Sequence, residues 1–139
     1  MRQHSLKTTY LIHETLVKDE NITSLIDEKN IFLLIPEQEM TFPYCIIRRT
    51  GCKSENGNKD FAGDIVSFNI KIYSNKYEEA MDIADAIRFR LEGYSLEDEN
   101  LRLSRIKFTG AGENWIYDSF EQDLNFESLV EAPRNIENQ

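Results

Sequence analysis

Residues 64–93 read DIVSFNIKIYSNKYEEAMDIADAIRFRLEG. Val66, Phe68, Ile70 and Ile72 fall on one parity, and Ser67, Asn69 and Lys71 on the other. Side chains alternate across a strand, so the segment predicts a β-strand with one apolar and one wet face, as in an antiparallel sheet covered on one side. Ser74-Asn75-Lys76 ends the alternation with turn-forming residues. The period then lengthens: Ala80, Ile83, Ala84, Ile87 and Leu91 recur at helical spacing, with Glu78, Glu79, Asp82, Asp85 and Arg88 mostly elsewhere. This predicts a helix over Tyr77–Leu91. Its small alanines let it lie close to the sheet, and Gly93 is expected to cap it in the left-handed conformation. The segment is a βα unit and carries no catalytic chemistry.

The rest of the chain reads as cover for that unit. Its 139 residues suffice for one domain with a substantial core. A net charge of −9 argues against nonspecific adhesion to nucleic-acid backbone or anionic membrane. It leaves open a wall past which DNA slides without sticking. Cys45 and Cys52 form neither a CxxC pair nor a dense framework, which fits a reducing compartment. A bridge between them across a turn is the less favoured alternative. The first residues, MRQHSLKTTYLIHETL, lack the apolar stretch of a secretory leader, so none is expected. No apolar run reaches the length of a membrane span.

Residues 5–18 predict a helix capped by Ser5, with Leu6, Tyr10, His13 and Val17 on one face and Leu16 at its edge. Residues 22–26 suggest a short helical turn that plugs the core. The run IFLLI before Pro36 predicts a short strand. Phe42-Pro43-Tyr44 opens a second, YCIIRR, apolar on both parities until Arg48 and Arg49 and therefore central. Residues 50–63, TGCKSENGNKDFAG, read as a long loop, and 94–100 as an acidic one. In Leu101–Thr109 the apolar parity slips, and a bulge near Ser104-Arg105 would repair it. Gly110–Asn114 reads as a hairpin connection and Trp115–Glu127 as the last strand. The expected fold is α+β: an antiparallel sheet of four to five strands with two main helices packed against it, in the order α-β-β-β-α-β-β. One domain is expected over residues 1–127, with 128–139 a loose tail.

Motif by motif, catalysis finds no support. His13-Glu14 begins an HExxH metal motif, but position 17 is Val. Gly110-Ala111-Gly112 lacks the third glycine and the following helix of a dinucleotide loop. Cys52 has no histidine partner in sequence. Asp118, Glu121 and Asp123 form a candidate acidic face, read first as solvated and second as paired catalytic carboxylates. The carboxylates Glu113, Asp118, Glu121, Asp123 and Glu127 stand in a stretch free of Lys and Arg, while Arg102, Arg105 and Lys107 lie on the preceding strand. That segregation suits cross-strand pairing or head-to-tail contacts between subunits. Trp115 and Tyr117 are expected on the face opposite Ile116 and Phe120, where large aromatics need a partner.

In this order, the strings FPYCIIRR, DIVSFNIKIYSNKYEEAMDIADAIRFRLEG and RLSRIKFTGAGENWIYDSFEQDLNF resemble the tail-completion family of long-tailed bacteriophages and prophages. The resemblance spans Leu6–Glu127 and is weakest over Asn30–Glu39 and in the length of the 50–63 loop. It implies a non-enzymatic structural protein, similar to tail terminators, that forms a hexameric ring on the tail tube and helps join it to the head. It implies contacts with tail-tube and head-joining proteins, DNA at most passing through the lumen, no cofactor, no metal and no membrane. The implied location is the virion tail, after assembly in the host cytoplasm. The candidate interface for a neighbouring subunit or the tube comprises Arg48, Arg49, Lys53, Lys59 and Phe61 in and beside the long loop, with Trp115 and Tyr117. The alternative is a small-ligand-binding or regulatory α+β domain, with or without catalysis, using Asp118 and Asp123.

Overall fold

A computed structural model of the chain describes residues 4–36, 39–54 and 63–132. Its helices are α1 Thr8–Val17, α2 Glu20–Thr23 and α3 Tyr77–Leu91. Its strands are β1 Ile31–Leu33, β2 Tyr44–Ser54, β3 Asp64–Ser74, β4 Leu96–Glu97, β5 Arg102–Ile116 and β6 Ser119–Glu131. The strands form one sheet in the order β1-β2-β3-β6-β5-β4. All neighbours are antiparallel except β1 and β2, which run parallel. The α+β class stands, with two corrections. Among the described residues there are six strands, because Leu96–Glu97 in the expected acidic loop pairs with β5, and the sheet is mixed at one edge.

The βα unit follows its periodicity. Val66, Phe68, Ile70 and Ile72 are fully buried on β3, and Ala80, Ile83, Ala84, Ile87 and Leu91 form the buried stripe of α3. All of these except Ala80 join Leu11, Ile12 and Leu16 of α1, Ile22 of α2, and Leu124 and Phe126 of β6 in one core on the helix-covered face. Phe68 and Phe126 stack there at 5.2 Å between centroids. The helical turn that plugs the core is α2, capped by Asp19, whose carboxylate accepts from the Asn21 and Ile22 amides.

Gly93 follows α3 at φ +85, and its amide donates to Ile106 O at 2.7 Å. A Cβ there would meet nothing within 4 Å, so the penalty for a side chain is purely conformational. Gly93→Val is expected to cost about 1–2 kcal/mol, read as a lower urea midpoint with an unchanged slope. An unchanged midpoint would show that the backbone escapes the left-handed region.

Helix α1 is turned away from the expected face. Leu6 and Tyr10 are 65% and 62% exposed, and the inward side carries Thr8, Leu11, Ile12, Thr15 and Leu16. Two threonines are buried because their hydroxyls bond back to carbonyls: Thr8 Oγ1 to Ser5 O at 2.7 Å and Thr15 Oγ1 to Leu11 O at 2.8 Å. Ser5 caps nothing. It lies in a 3-10 turn, and its hydroxyl donates to Asp64 Oδ2.

The C-terminal hairpin is also corrected. Its turn is Tyr117-Asp118, both at φ +55, the pattern of a two-residue hairpin turn. Gly110–Asn114 is therefore strand, with Gly110 opposite Asn125 and Gly112 opposite Asp123. The expected bulge between Ser104 and Lys107 is present, and a second, between Phe108 and Gly110, lets β5 run on where glycines suggested a stop. Strand β2 likewise continues past its expected end, through a register shift between Arg49 and Gly51, to Ser54. Residues 128–131, expected in the tail, belong to β6, while 133–139 lie outside the described residues.

Candidate assembly surface

Strand pairing defines what the helix-free face presents. One row runs Tyr44, Tyr73, Glu121, Asn114 across β2, β3, β6 and β5, and another runs Arg48, Asn69, Asn125, Gly110. This face was expected to be wet, yet Tyr44, Tyr73, Asn69 and Glu121 are buried in it. Tyr44 stacks on Tyr73 at 4.9 Å and on the exposed Phe42 at 5.8 Å, with Phe32 tilted alongside. Tyr73 Oη donates to Glu121 Oε2 at 2.7 Å, and Asn114 Nδ2 donates to Glu121 Oε1 at 2.9 Å. Asn69 Nδ2 donates to the Asp123 carboxylate and to Asn125 Oδ1 at 3.0 Å. The buried polar atoms of both rows are thus partnered, which fixes the sheet's free face rigidly.

Burial, followed by the Glu121 carboxylate, raises the ionisation of the Tyr73 phenol far above that of a free tyrosine. Burial and Glu121 raise Tyr44 as well. An unfolded chain releases these protons first as pH rises, so the native state binds more protons above about pH 10. The contribution of these tyrosines to stability is therefore expected to be intact below pH ~10 and to be lost above it. A phenolate titration should show late-ionising tyrosines, one fewer in Tyr73→Phe. Ionisation of all tyrosines together while the protein remains folded would contradict the buried row.

The hairpin end of the sheet is aromatic and exposed. Trp115 meets Phe120 edge to face at 4.8 Å, and Phe120 meets Tyr77 at 5.3 Å. Trp115 thus shares the face of Phe120, contrary to expectation, because the turn lies at 117–118 and pairs 115 with 120. Tyr77 Oη donates to Glu113 at 2.9 Å, as does Gln122 Nε2, and these bonds hold the Glu113 carboxyl below its usual range. Tyr77, Glu113, Asn114, Trp115, Phe120 and Glu121 line a shallow groove of about 240 Å³. Trp115 is 61% exposed and Tyr117, on the turn itself, 78%.

The remaining candidates lie elsewhere. Lys53 is level with Ile65 and Leu129, at the end of the sheet away from the hairpin turn, and Arg48 sits between the ends on the helix-free face. Arg49 Nη1 donates to Leu6 O at 2.9 Å. Lys59 and Phe61 lie outside the described residues. The candidate interface therefore divides into an aromatic end and a cationic flank. The acidic trio divides too: Asp118 is in the exposed turn, Glu121 is buried and bonded, and Asp123 is held by Asn69 and Asn125. Asp118 stands in the turn while Asp123 lies on the ladder opposite Lys71 and Gly112, so the two carboxylates occupy different settings. Among the described residues no three or more His, Cys, Asp or Glu side chains gather as a metal site, and no helix is long and apolar enough to cross a membrane. The Tyr44–Tyr73–Glu121 row went unnoticed in the sequence, although Tyr73 falls on the polar parity of its strand, a signal that this face is partly covered.

A model of the family described as tail completion protein gp17 matches residues 11–131. The chain belongs to that family. As a tail completion protein it is a structural component of a phage-type tail. A solved chain from a structure titled virion of native gene transfer agent (GTA) particle is similar, with 20% identity, a TM-score of 0.73, and coverage of 88% of this chain and 93% of that one. At that identity the likeness shows a shared fold. No curated protein sequence matches. The resemblance read from the three strings is thus upheld over nearly the whole of the span they covered.

Proposed function

We propose that this tail completion protein is a non-enzymatic subunit of a ring, hexameric by family resemblance, that ends the tail tube and helps join it to the head. Its partners are copies of itself, the tail-tube protein and head-joining proteins. It acts in the virion tail after assembly in the host cytoplasm, and DNA only passes through its lumen. The family match over residues 11–131 carries this reading, and the likeness to a chain of a gene transfer agent virion is consistent with it. The shape supports it as well. A closed ring needs two different surfaces on each subunit, and the aromatic hairpin end differs in chemistry from the cationic flank of β2.

The free sheet face is the better candidate for the lumen wall than the helical face. Arg48, Lys53, Lys71 and Lys107 share it with Glu121, Asp123 and Glu127, so it is mixed in sign rather than acidic. The helical face is more acidic, with Glu78, Asp82 and Asp85 of α3 all exposed. A balanced, hydrogen-bonded wall gives a polyanion no strong hold. Negative-stain imaging of the full chain mixed with tail-tube protein tests the reading: rings or capped tubes are expected. Bare tubes beside dispersed monomers would refute it.

A further inference from the structure

Among the described residues the sheet has two open edges. Strand β1 pairs with β2 only at Cys45–Ile47, and beyond the Leu34 amide bonded to Ile47 O no described strand covers Arg48–Ser54. Strand β4 pairs with β5 only at Arg102 and Leu103, and Gly93 and Tyr94 bond to Ile106. No described strand covers Lys107–Ile116 on that side. Long uncovered edges are normally blunted, because their free amides and carbonyls recruit other strands. The edge of β5 from Phe108 to Ile116 has no Pro, Lys or Arg.

We infer that the β5 edge of one subunit pairs with the β2 edge of the next, continuing the sheet from copy to copy. The inference rests on the ring reading and names its contact. Strand direction favours it. From β2 to β3, β6 and β5 the chain reverses at each step, so β5 is antiparallel to β2. A second copy placed alongside in the same sense meets β5 with an antiparallel β2, whereas two β5 edges meeting would close a dimer and end the array.

One register fits residue by residue. With Cys52 opposite Ala111, Lys53 falls opposite Gly110 and Gly51 opposite Gly112. The shift at Thr50 then sets Arg49 opposite Glu113 and Arg48 opposite Asn114. In this register the faces agree throughout: Arg49 and Cys52 share the helix-covered face with Ala111 and Glu113, while Arg48, Gly51 and Lys53 share the free face with Gly110, Gly112 and Asn114. The cation of Arg49 meets a carboxylate, and a Cβ at Gly110 or Gly112 would touch nothing in the isolated subunit, which leaves the free face there open for the long Lys53 side chain of the neighbour. Within one subunit Cys52 is level with Ser128, near the start of β5. Pairing it with Ala111 slides the next copy along the strands by about five residues, roughly 15 Å. A sheet needs such a stagger to close on itself.

Native Cys52 makes the register testable, since it is exposed and Cys45 is buried. Full-length Ala111→Cys is oxidised with copper-phenanthroline at concentrations where light scattering reports assembly. Disulfide-linked multimers are expected, and Cys52→Ser in the same background abolishes them. Arg49→Glu is expected to weaken assembly at least tenfold, with recovery in Arg49→Glu/Glu113→Arg. Rings that form without this cross-link overturn the edge pairing and leave the ring reading standing. Cross-links that persist in Cys52→Ser put β5 against β5 and overturn it too. Absence of any assembly, even beside tail-tube protein, refutes both.

Discussion

Ile83→Asp leaves no folded protein at neutral pH. Ile83 is fully buried in the middle of the α3 stripe, within the core that gathers α1, α2 and the covered face of the sheet. Truncating such a side chain costs about 2–5 kcal/mol, and an unpaired buried carboxylate adds several more. The sum reaches the total stability of a typical domain, about 5–15 kcal/mol. Phe68→Asp, which breaks the stack with Phe126, is expected to do the same. Circular dichroism should show the loss of a cooperative thermal transition in both. A soluble, folded Ile83→Asp would mean that α3 presents another face to the sheet.

Trp115→Ala with Tyr117→Ala should have the opposite signature: fold kept, assembly lost. Both rings are mostly exposed, so folding loses chiefly the edge contact of Trp115 with Phe120, about 0.5–1.5 kcal/mol. An interface built on such anchors loses on the order of 2 kcal/mol or more for each, so the assembly midpoint should rise by more than tenfold. The thermal midpoint should move by only a few degrees. Normal assembly by the double variant would take the hairpin end out of the interface.

What the sequence made legible follows from where periodicity speaks. The strand 66–72 and the stripe of α3 sit on clean patterns, and the structure buries those residues. The slipped parity at 101–109 correctly demanded a bulge, because an apolar residue changing parity leaves no other way to keep one face dry. The failures share one cause: local signals overruled by long-range pairing. Thr8 and Thr15 look polar but satisfy themselves on backbone carbonyls, so α1 turned the wrong way. Gly110 and Gly112 look like a turn, yet their ladder partners Asn125 and Asp123 hold them in strand, and the turn falls on Tyr117-Asp118 without any glycine. The candidate surface was legible only as residue types. Glu121 read as one of an acidic set, and its role in the buried row depended on Tyr73, distant in sequence. The divide between an aromatic end and a cationic flank needed the register of four strands.

The most direct test is the mass of the particle in solution. Sedimentation velocity of the full chain, alone over rising concentration and then with tail-tube protein, is expected to give one discrete species at a fixed multiple of 16.3 kDa, six by family resemblance, at the latest when the tube is present. A 16.3 kDa monomer under every condition, tube included, would contradict the ring.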